Sequence, residues 1–431
     1  MNYPKILFLS VNGWNNTTGT STITSIIEGY PKECIASIFL RADNPNSVVC
    51  DKYFRIDELK VLKSVLKRKV KTGYVVKPEA EEVVDFVAEQ SKQRQLKSKK
   101  NALTPFIRDL VWKLGVWKTK ELKEFVLDFN PDIIIFPAEG LIHFNNIGLY
   151  LSKLLKKPFG LFFWDDNFTY KPLSAFVPKV YRYFQRRNIK KLAKKASFAF
   201  SLNEKMQTEC MSELGRESVL LTKPIVGEIE NKPYSYNGGV IKILYTGSIY
   251  IGRGLTILSL ISQIQKVNKN GGNFFLEIYT NSAISEEEKS EYNVEGVSAL
   301  LPPVTKEEVL KLQQEADILL FAEALEGEYK QAARLSFSTK ITDYLSARRC
   351  ILAIGPSDIA PMEYFMKADT ALVANSSAEI LEALEKVLKN PVIMENYAQR
   401  SYEYGIKNHN REKVYKTFEN VVIQNSSYRG K

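Results

Sequence analysis

Short apolar runs alternate with longer stretches in which apolar residues recur every three or four positions, along almost the whole chain. The first pattern is typical of buried strands and the second of amphipathic helices. Strands and helices in alternation predict an α/β fold with parallel sheets. The predicted strands cover residues 6–10, 35–40, 53–56, 133–136, 159–163, 198–201, 242–246, 274–279, 298–301, 318–321, 350–354 and 371–373.

Helices are predicted between these strands, at residues 21–29, 79–95, 119–129, 146–155, 255–267, 306–315, 339–347 and 378–389. Residues 226–239 have no periodicity and contain Pro and a Gly pair, which is typical of a linker. A chain of 431 residues is also too long for one typical core. We therefore predict two Rossmann-like, doubly wound domains, residues 1–225 and 240–405, that face each other across a cleft. Ligands of such sheets bind at the carboxyl ends of the strands.

The basic composition restricts the class of partner. The formal net charge of +11 suits nucleic acid, anionic lipid or an anionic small molecule. Lys and Arg are concentrated in residues 60–77 and 179–195, where they are interleaved with apolar residues. Both segments can be drawn as basic amphipathic helices on a membrane surface, or equally as solvated helices packed through their apolar side. No nucleic-acid motif accompanies them, so we expect no nucleic-acid partner.

Targeting and metal signals are weak. No apolar run approaches the roughly 20 residues of a membrane span, and the run at residues 6–11 is too brief for a signal sequence. The four cysteines are scattered, without the spacing of a zinc site or a disulfide framework. This cysteine usage predicts a reducing, cytoplasmic environment.

The most informative stretch is FSTKITDYLSARRCILAIG, at residues 337–355. Ser338 and Thr339 stand at a helix start, where capping hydroxyls belong. A helix N-terminus attracts anions, and Lys340 adds a full positive charge there. Asp343 follows one turn later and can accept hydrogen bonds from sugar hydroxyls. The arrangement suits a diphosphate with an attached ribose, although capped helices with a solvated Lys and Asp occur in any α/β protein.

Two glycine-containing loops also follow strands. In ILYTGSIYIGRGL, Gly247 permits a close turn and Arg253 precedes a helix, where its guanidinium can clamp phosphate. In NGWNNTTGT, Gly19 would let a substrate approach the backbone at a helix start, and an ordinary turn is at least as good an interpretation. The second loop lacks the GxGxxG pattern, so a dinucleotide fingerprint is absent.

The pair YTGSIYIGRGL and FSTKITDYLSARRCILAIG, separated by LLPPVTKEEVLKLQQEADILLF, resembles the C-terminal domain of retaining glycosyltransferases of the GT-B fold, family 4 (group 1) type. The likeness in the first half is looser and rests on KILFLS, NPDIIIF and LFFWDDN. Residues 396–424 resemble the terminal helices of such enzymes. The resemblance therefore implies that residues 406–431 cross back and pack on the N-terminal domain.

The resemblance also implies roles on the donor side. Arg253 and Lys340 would neutralise the pyrophosphate of a nucleotide-sugar donor as it departs, with no metal ion or other cofactor. Asp343 matches the family's glutamate that binds ribose hydroxyls. Leu301 and Pro302 lie in the segment whose backbone holds the nucleobase.

The donor side departs from the family pattern at its first glutamate. Leu335 stands eight residues before Asp343, where the first glutamate of the family's pair is expected. Glu323 and Glu326 lie nearby in a longer loop, and either could substitute for it.

The acceptor side is defined less sharply. Many relatives carry a histidine at the end of the strand that here reads GLFFWDDN, where Asp165 and Asp166 stand instead. Either carboxylate could orient or deprotonate an acceptor hydroxyl, or both could cap a surface turn. Glu139 and His143 follow the strand at 133–136 and would line the cleft, although a lone His near an apolar run is more often structural.

Taken together, these features predict a metal-independent, retaining glycosyltransferase in polysaccharide or surface-glycan assembly, acting on a glycan or lipid-linked acceptor. It would be cytoplasmic, with possible contact to the inner face of the membrane through its basic segments. The alternatives are a hydrolysing nucleotide-sugar epimerase of the same fold, or a non-catalytic module that binds sugars or partners.

Overall fold

The computed structural model describes residues 3–15, 21–41, 45–77, 102–169, 175–225, 233–327 and 329–427. The chain forms two compact units. Unit 1 comprises Met1–Lys223 and Glu412–Lys431, and unit 2 comprises Pro224–Arg411.

Unit 1 is built on one sheet with the strand order β4-β3-β2-β1-β5-β6-β7-β8. Neighbouring strands are parallel, except that β4 runs antiparallel to β3. Most strands are buried along their whole length, as expected of a parallel sheet covered on both faces. The strands are Ile6–Ser10 (β1), Ile35–Phe39 (β2), Lys52–Ile56 (β3), Gly73–Val76 (β4), Ile133–Pro137 (β5), Phe159–Phe163 (β6), Phe198–Ser201 (β7) and Val219–Leu220 (β8).

The helices of unit 1 lie between these strands. They are Ser21–Ile27 (α1), Glu58–Ser64 (α2), Thr104–Leu114 (α3), Lys120–Phe129 (α4), Ile142–Leu155 (α5), Phe176–Lys195 (α6) and Glu204–Leu214 (α7). Polar side chains close several helix starts. Asp57 accepts the Lys60 N–H before α2, Thr119 the Leu122 N–H before α4, and Asn203 the Met206 N–H before α7.

Unit 2 contains a second sheet, in which every pair is parallel and the order is β11-β10-β9-β12-β13-β14. Its strands are Ile241–Thr246 (β9), Phe274–Tyr279 (β10), Ser298–Leu301 (β11), Ile318–Ala322 (β12), Cys350–Ile354 (β13) and Leu372–Ala374 (β14). Its helices are Arg253–Lys269 (α8), Glu286–Tyr292 (α9), Lys306–Glu315 (α10), Thr339–Ala347 (α11), Ala360–Ala368 (α12), Ser377–Lys389 (α13) and Val392–Asn408 (α14).

The last helix, Arg411–Asn425 (α15), returns to unit 1. Val414, Phe418 and Val422 belong to the core that covers one face of the first sheet. The Phe418 ring centroid lies 5.9 Å from that of Tyr30 and 5.9 Å from that of Phe200. Helix α15 is therefore held in unit 1 by apolar packing.

The predicted strands coincide closely with the observed ones, whereas several helices differ. The helix predicted at 146–155 begins at Ile142, and the one predicted at 255–267 begins at Arg253. The helix predicted at 79–95 lies outside the described residues. Residues 233–239 of the predicted linker are part of unit 2, where Tyr234 Oη donates to Asp317 Oδ1 at 2.7 Å.

The interpretation of residues 60–77 as one amphipathic helix is wrong. Helix α2 ends at Ser64, and Gly73–Val76 forms strand β4 paired with β3. The physical reason lies in this stretch itself, because Tyr74, Val75 and Val76 favour a strand and Gly73 disfavours a helix. By contrast, the basic segment 179–195 lies wholly within α6. None of the helices in the described ranges is long and apolar enough to cross a bilayer.

Candidate active site

The strand order of unit 2 reverses between β9 and β12. Such a reversal, at the carboxyl ends of the strands, is where doubly wound sheets bind ligands. Gly247 and Arg253 follow β9, and Glu323 follows β12. Helix α11, which begins at Thr339, also lies between β12 and β13. The chain therefore brings most of the predicted donor-side residues to one edge of the second sheet.

Arg253 is held in place by Glu323. Its Nε donates to Glu323 Oε2 at 2.9 Å, and its Nη2 donates to Oε1 at 3.0 Å. Glu323 is only 5% exposed, and Thr256 Oγ1 donates to its carbonyl oxygen at 2.8 Å. A two-point contact of this kind fixes the plane of the guanidinium. Glu323 was predicted as a donor-binding residue, and the structure shows its two oxygens bound to Arg253.

Lys340 reaches over the loop that follows β9. Its Nζ lies 4.5 Å from the Tyr245 ring centroid, and a β-carbon at residue 247 would lie 2.1 Å from the same Nζ. Gly247 also has a φ of 143°, which residues with a side chain rarely adopt. The absence of a side chain at Gly247 is thus what admits the ammonium group to this position.

The two cations influence each other electrostatically. The pKa of Lys340 is lowered to about 8, first by burial and then by the charge of Arg253, while Glu323 opposes this shift. Two positive groups and one carboxylate therefore share one site at this edge of unit 2. Lys340 remains mostly protonated at neutral pH and becomes neutral as the pH rises above 8.

Helix α11 supplies the backbone beside Lys340. Ser338 is its N-cap, and its Oγ accepts the Lys340 N–H at 3.4 Å. Thr339 is the first helical residue, so the free N–H groups of this turn belong to the same helix start that carries Lys340. Asp343 is partly exposed and lies one turn after Lys340, which places both residues on the same side of the helix.

The other donor-side candidates lie further from this pair. Leu301 ends β11, the outer strand of the second sheet, and Pro302 follows it on the surface. Both are at the carboxyl end of their strand, as Gly247 is at the end of β9. Glu326 is exposed in the loop after β12. Gly19 lies outside the described residues.

In unit 1 the strand order reverses between β1 and β5, and Glu139 follows β5. Its pKa is raised to about 7, first by burial and then by the nearby carboxylate of Asp165. Arg41, the Trp164 side chain and the Gly140 backbone N–H oppose the rise. A carboxyl group with this pKa can take up or release a proton at neutral pH, so Glu139 is suited to acid–base chemistry.

The two aspartates after β6 have different surroundings. Asp165 is exposed. Asp166 is 8% exposed, and its Oδ1 accepts from the Thr169 N–H at 3.3 Å and from the Thr169 hydroxyl. The same oxygen lies 3.5 Å from Arg182 Nη2, on helix α6. These contacts give Asp166 a role in holding residues 166–169 against α6.

His143 is buried in a structural setting at the start of α5. It is 4% exposed, its Nδ1 lies 2.7 Å from Asp109 Oδ1, and its ring stacks on Trp112 with centroids 5.0 Å apart. Burial lowers its pKa, and the hydrogen bond to Asp109 opposes that shift. Its partner lies 34 residues away in sequence, and no local pattern indicated the pair.

Sequence reasoning missed Arg41, which follows β2 at the same edge of the first sheet. Its Nη1 donates to Asn12 Oδ1 at 3.3 Å, and its charge acts on Glu139. Its place directly after a buried strand was the available signal, because functional side chains of doubly wound sheets cluster there.

No protein-family model and no curated protein sequence matches this chain. Solved structures do match it along almost its whole length. HepE (Alr3699) from Anabaena, in complex with UDP-glucose, has a TM-score of 0.60 at 10% sequence identity, with 98% of this chain and 100% of that chain covered. The α,α-trehalose 6-phosphate synthase of Burkholderia multivorans has a TM-score of 0.61 at 10% identity, with 98% of each chain covered.

Sucrose-phosphate synthase from Thermosynechococcus elongatus has a TM-score of 0.61 at 10% identity, with 97% of this chain and 98% of that chain covered. All of these neighbours are two-domain α/β proteins of the GT-B class. The chain has the GT-B fold. This confirms the predicted fold class.

Proposed function

We propose that this GT-B protein is a glycosyltransferase that moves a sugar from a nucleotide-sugar donor to an acceptor hydroxyl. The observation that carries the proposal is the placement of Arg253 and Lys340 together at the strand-order reversal of unit 2, beside the N-terminus of α11. Neighbours of the same fold were solved with UDP-glucose and with UDP. A doubly anionic diphosphate is the ligand class that such a site fits.

In the proposed reaction the bond between the sugar C1 and the β-phosphate oxygen breaks, and the electron pair leaves with the nucleoside diphosphate. The acceptor oxygen forms its bond to C1 on the face from which the diphosphate departs, which gives retention. Arg253, Lys340 and the first N–H groups of α11 offset the charge that develops on the departing phosphate. With this much positive charge in place, the reaction as proposed needs no metal ion.

The acceptor hydroxyl must lose a proton during the transfer. Glu139 is the candidate in unit 1 for accepting or guiding it, because a pKa of about 7 leaves a substantial fraction of carboxylate at neutral pH. Asp165 would act on the reaction through its charge on Glu139. A role in polysaccharide or surface-glycan assembly, a lipid-linked acceptor and a family 4 type mechanism are parts of the same proposal.

A nucleotide-sugar screen tests this function. Purified protein would be titrated with UDP-, GDP-, ADP- and CMP-sugars while its unfolding temperature is recorded, since a bound ligand stabilises the folded state. We expect one nucleotide class to raise the unfolding temperature. The selected donor would then be incubated with glycan and lipid-linked acceptors, and the anomeric configuration of the product read by NMR.

Each alternative gives a different result in the same assay. A hydrolysing epimerase would release the free nucleoside diphosphate and an epimerised sugar without any acceptor. A non-catalytic module would show a ligand-induced shift in unfolding temperature and no turnover. A product with inverted anomeric configuration would exclude the retaining mechanism and would still support glycosyl transfer.

A further inference from the structure

Unit 1 has an outer face on which apolar side chains are exposed. The N-cap residue of helix α3, Leu103, and the helical residues Ile107, Leu110 and Leu114 are 44–57% exposed. Their spacing of four, three and four residues places them on one stripe of the helix. The opposite side of α3 carries Arg108, Asp109 and Trp112, which contact the rest of unit 1. Among the described residues, nothing packs over this stripe closely enough to bury it.

Two neighbouring elements continue this face. Arg108 Nη2 donates to Glu58 Oε2 at 2.8 Å, and Arg68 Nη1 donates to the Leu114 carbonyl oxygen at 2.8 Å, which joins residues 58–69 to α3. On the other side, the ring of Phe106 packs edge-on against Tyr181 of α6, with centroids 5.0 Å apart. We use the name basic-apolar face for the outer side of α3, α6 and residues 62–69.

Further apolar groups project from these flanking elements. Leu66 is 91% exposed, in the loop after α2. Phe176 and Tyr183, on the outer side of α6, are 78% and 61% exposed. Large side chains at this level of exposure normally occur singly on a monomeric surface, and a group of them on adjacent elements indicates an interaction site.

The two basic segments that flank α3 contribute charges of one sign only. Residues 60–77 and 176–195 together contain fifteen Lys or Arg and no Asp or Glu. Lys67, Arg68 and Lys69 are exposed beside Leu66, and Arg187 and Lys190 are exposed on α6 beyond Tyr183. The two basic segments, which are about a hundred residues apart in sequence, are thus connected through α3 into one surface.

We propose that the basic-apolar face docks unit 1 onto an anionic lipid bilayer. Exposed Leu, Ile, Phe and Tyr side chains would enter the boundary between head groups and acyl chains, and the surrounding Lys and Arg would lie at the level of the anionic head groups. A second copy of this chain is a poorer occupant, because a two-fold interface would place two positively charged faces against each other. The docking is independent of the proposed transfer, since vesicle binding requires no donor.

Flotation with lipid vesicles tests the proposal on the full chain. We expect binding to phosphatidylcholine vesicles that contain phosphatidylglycerol, weaker binding at high salt, and little binding to phosphatidylcholine alone. The double variant Ile107→Ser/Leu110→Ser should lower the partition coefficient at least about tenfold. The matched control Val392→Ser/Ile406→Ser removes two side chains of unit 2 that are 53% and 41% exposed, and it should bind like the wild type.

A charge variant separates the electrostatic contribution to vesicle binding from the apolar one. Lys67→Gln/Lys69→Gln should weaken binding by about fivefold per removed charge on anionic vesicles, whereas Lys389→Gln/Lys407→Gln in unit 2 should have no effect. A wild-type protein that fails to float with anionic vesicles overturns the proposal, and so does unchanged binding by Ile107→Ser/Leu110→Ser. Light scattering measures the oligomeric state of both proteins. If the wild type is a dimer and Ile107→Ser/Leu110→Ser is a monomer, the face serves self-association and the membrane proposal is wrong.

Discussion

The carboxyl edges of the two sheets place opposite chemistry at equivalent points of the same fold. At the reversal in unit 2, Arg253 and Lys340 share a site with one carboxylate. Both oxygens of that carboxylate, Glu323, accept hydrogen bonds from the Arg253 guanidinium. At the reversal in unit 1, the central group is the carboxyl of Glu139, with its pKa raised to about 7 and Asp165 nearby. One edge suits a departing diphosphate and the other suits a hydroxyl that must lose a proton.

The difference teaches that a Rossmann-like scaffold determines where a site lies, while a few side chains determine what it binds. Substitutions at the two edges should therefore affect different properties, mainly donor turnover in unit 2 and the pH dependence of stability in unit 1.

The largest effect should come from Arg253→Ala. Removing the guanidinium eliminates one cation of the donor site. It also leaves the buried Glu323 carboxylate without the ion pair to Arg253. We expect turnover to fall at least about a hundredfold and the free energy of unfolding to fall by about 2 kcal/mol. Steady-state kinetics with the donor that the screen identifies measure the turnover. Chemical denaturation measures the free energy of unfolding.

The double variant Arg253→Ala/Glu323→Ala separates the two losses. Removing the stranded carboxylate should restore much of the stability, and turnover should stay low. Recovery of turnover together with stability would mean that Arg253 acts only through the fold.

The next largest effect should come from Gly247→Ala. A β-carbon there would meet Lys340 Nζ at 2.1 Å, so the ammonium group must move away from its position over Tyr245. We expect donor affinity to fall at least about tenfold. The control is Gly296→Ala, which also has a positive φ, of 69°, but has no atom within 4 Å of the new carbon. It should cost about 1 kcal/mol of stability from backbone strain alone and leave donor affinity unchanged.

Glu139→Gln should change the pH dependence of stability. Glu139 has a pKa of about 7 in the folded chain against an ordinary value of 4.5, so between these values the folded state retains a proton that the unfolded state has lost. The free energy of unfolding therefore falls as pH rises from about 4.5 to 7, by about 3 kcal/mol in the wild type.

Denaturant titrations across this pH range measure the effect. The Glu139→Gln curve should lack this contribution, and Glu307→Gln, at an exposed position in α10, should keep it. Identical slopes in the wild type and Glu139→Gln would show that the Glu139 carboxyl is ordinary and would remove the contrast between the two edges.

The smallest effects should distinguish the neighbouring aspartates. Asp166→Asn weakens the contacts to Thr169 and Arg182 and should cost about 1 kcal/mol of stability. Asp165→Asn removes a negative charge near Glu139, so it should shift the Glu139 transition to lower pH and slightly raise stability at neutral pH. If the two variants behave alike, the separate roles assigned to them are wrong.

Much of the fold was predictable because parallel strands buried on both faces appear as unbroken apolar runs, such as Ile133–Pro137. On the donor side, Ser338 as an N-cap and Lys340 in the first turn were predictable from local helix chemistry. The packing of the terminal helix on unit 1 was implied by family resemblance alone.

The rest depended on contacts between distant residues. The Arg253–Glu323 pair spans 70 residues and the contact of His143 with Asp109 spans 34, and periodicity contains no information about either. The helix prediction for residues 60–77 was wrong because the dense Lys and Val residues fit a helical pattern. The end of this segment instead forms strand β4, which pairs with β3. The basic-apolar face depends on α3, which joins two segments about a hundred residues apart in sequence.

The most direct test of the central claim is a calorimetric titration of the identified nucleotide-sugar into the wild type, Lys340→Ala and Lys340→Arg, at pH 7 and at pH 9. We predict that Lys340→Ala weakens binding at least about tenfold at pH 7. We also predict that wild-type affinity falls between the two pH values, as a lysine with a pKa of about 8 loses its proton, and that Lys340→Arg shows no such fall. Equal affinities for the wild type and Lys340→Ala at pH 7 would contradict the claim that Lys340 and Arg253 together hold the donor diphosphate.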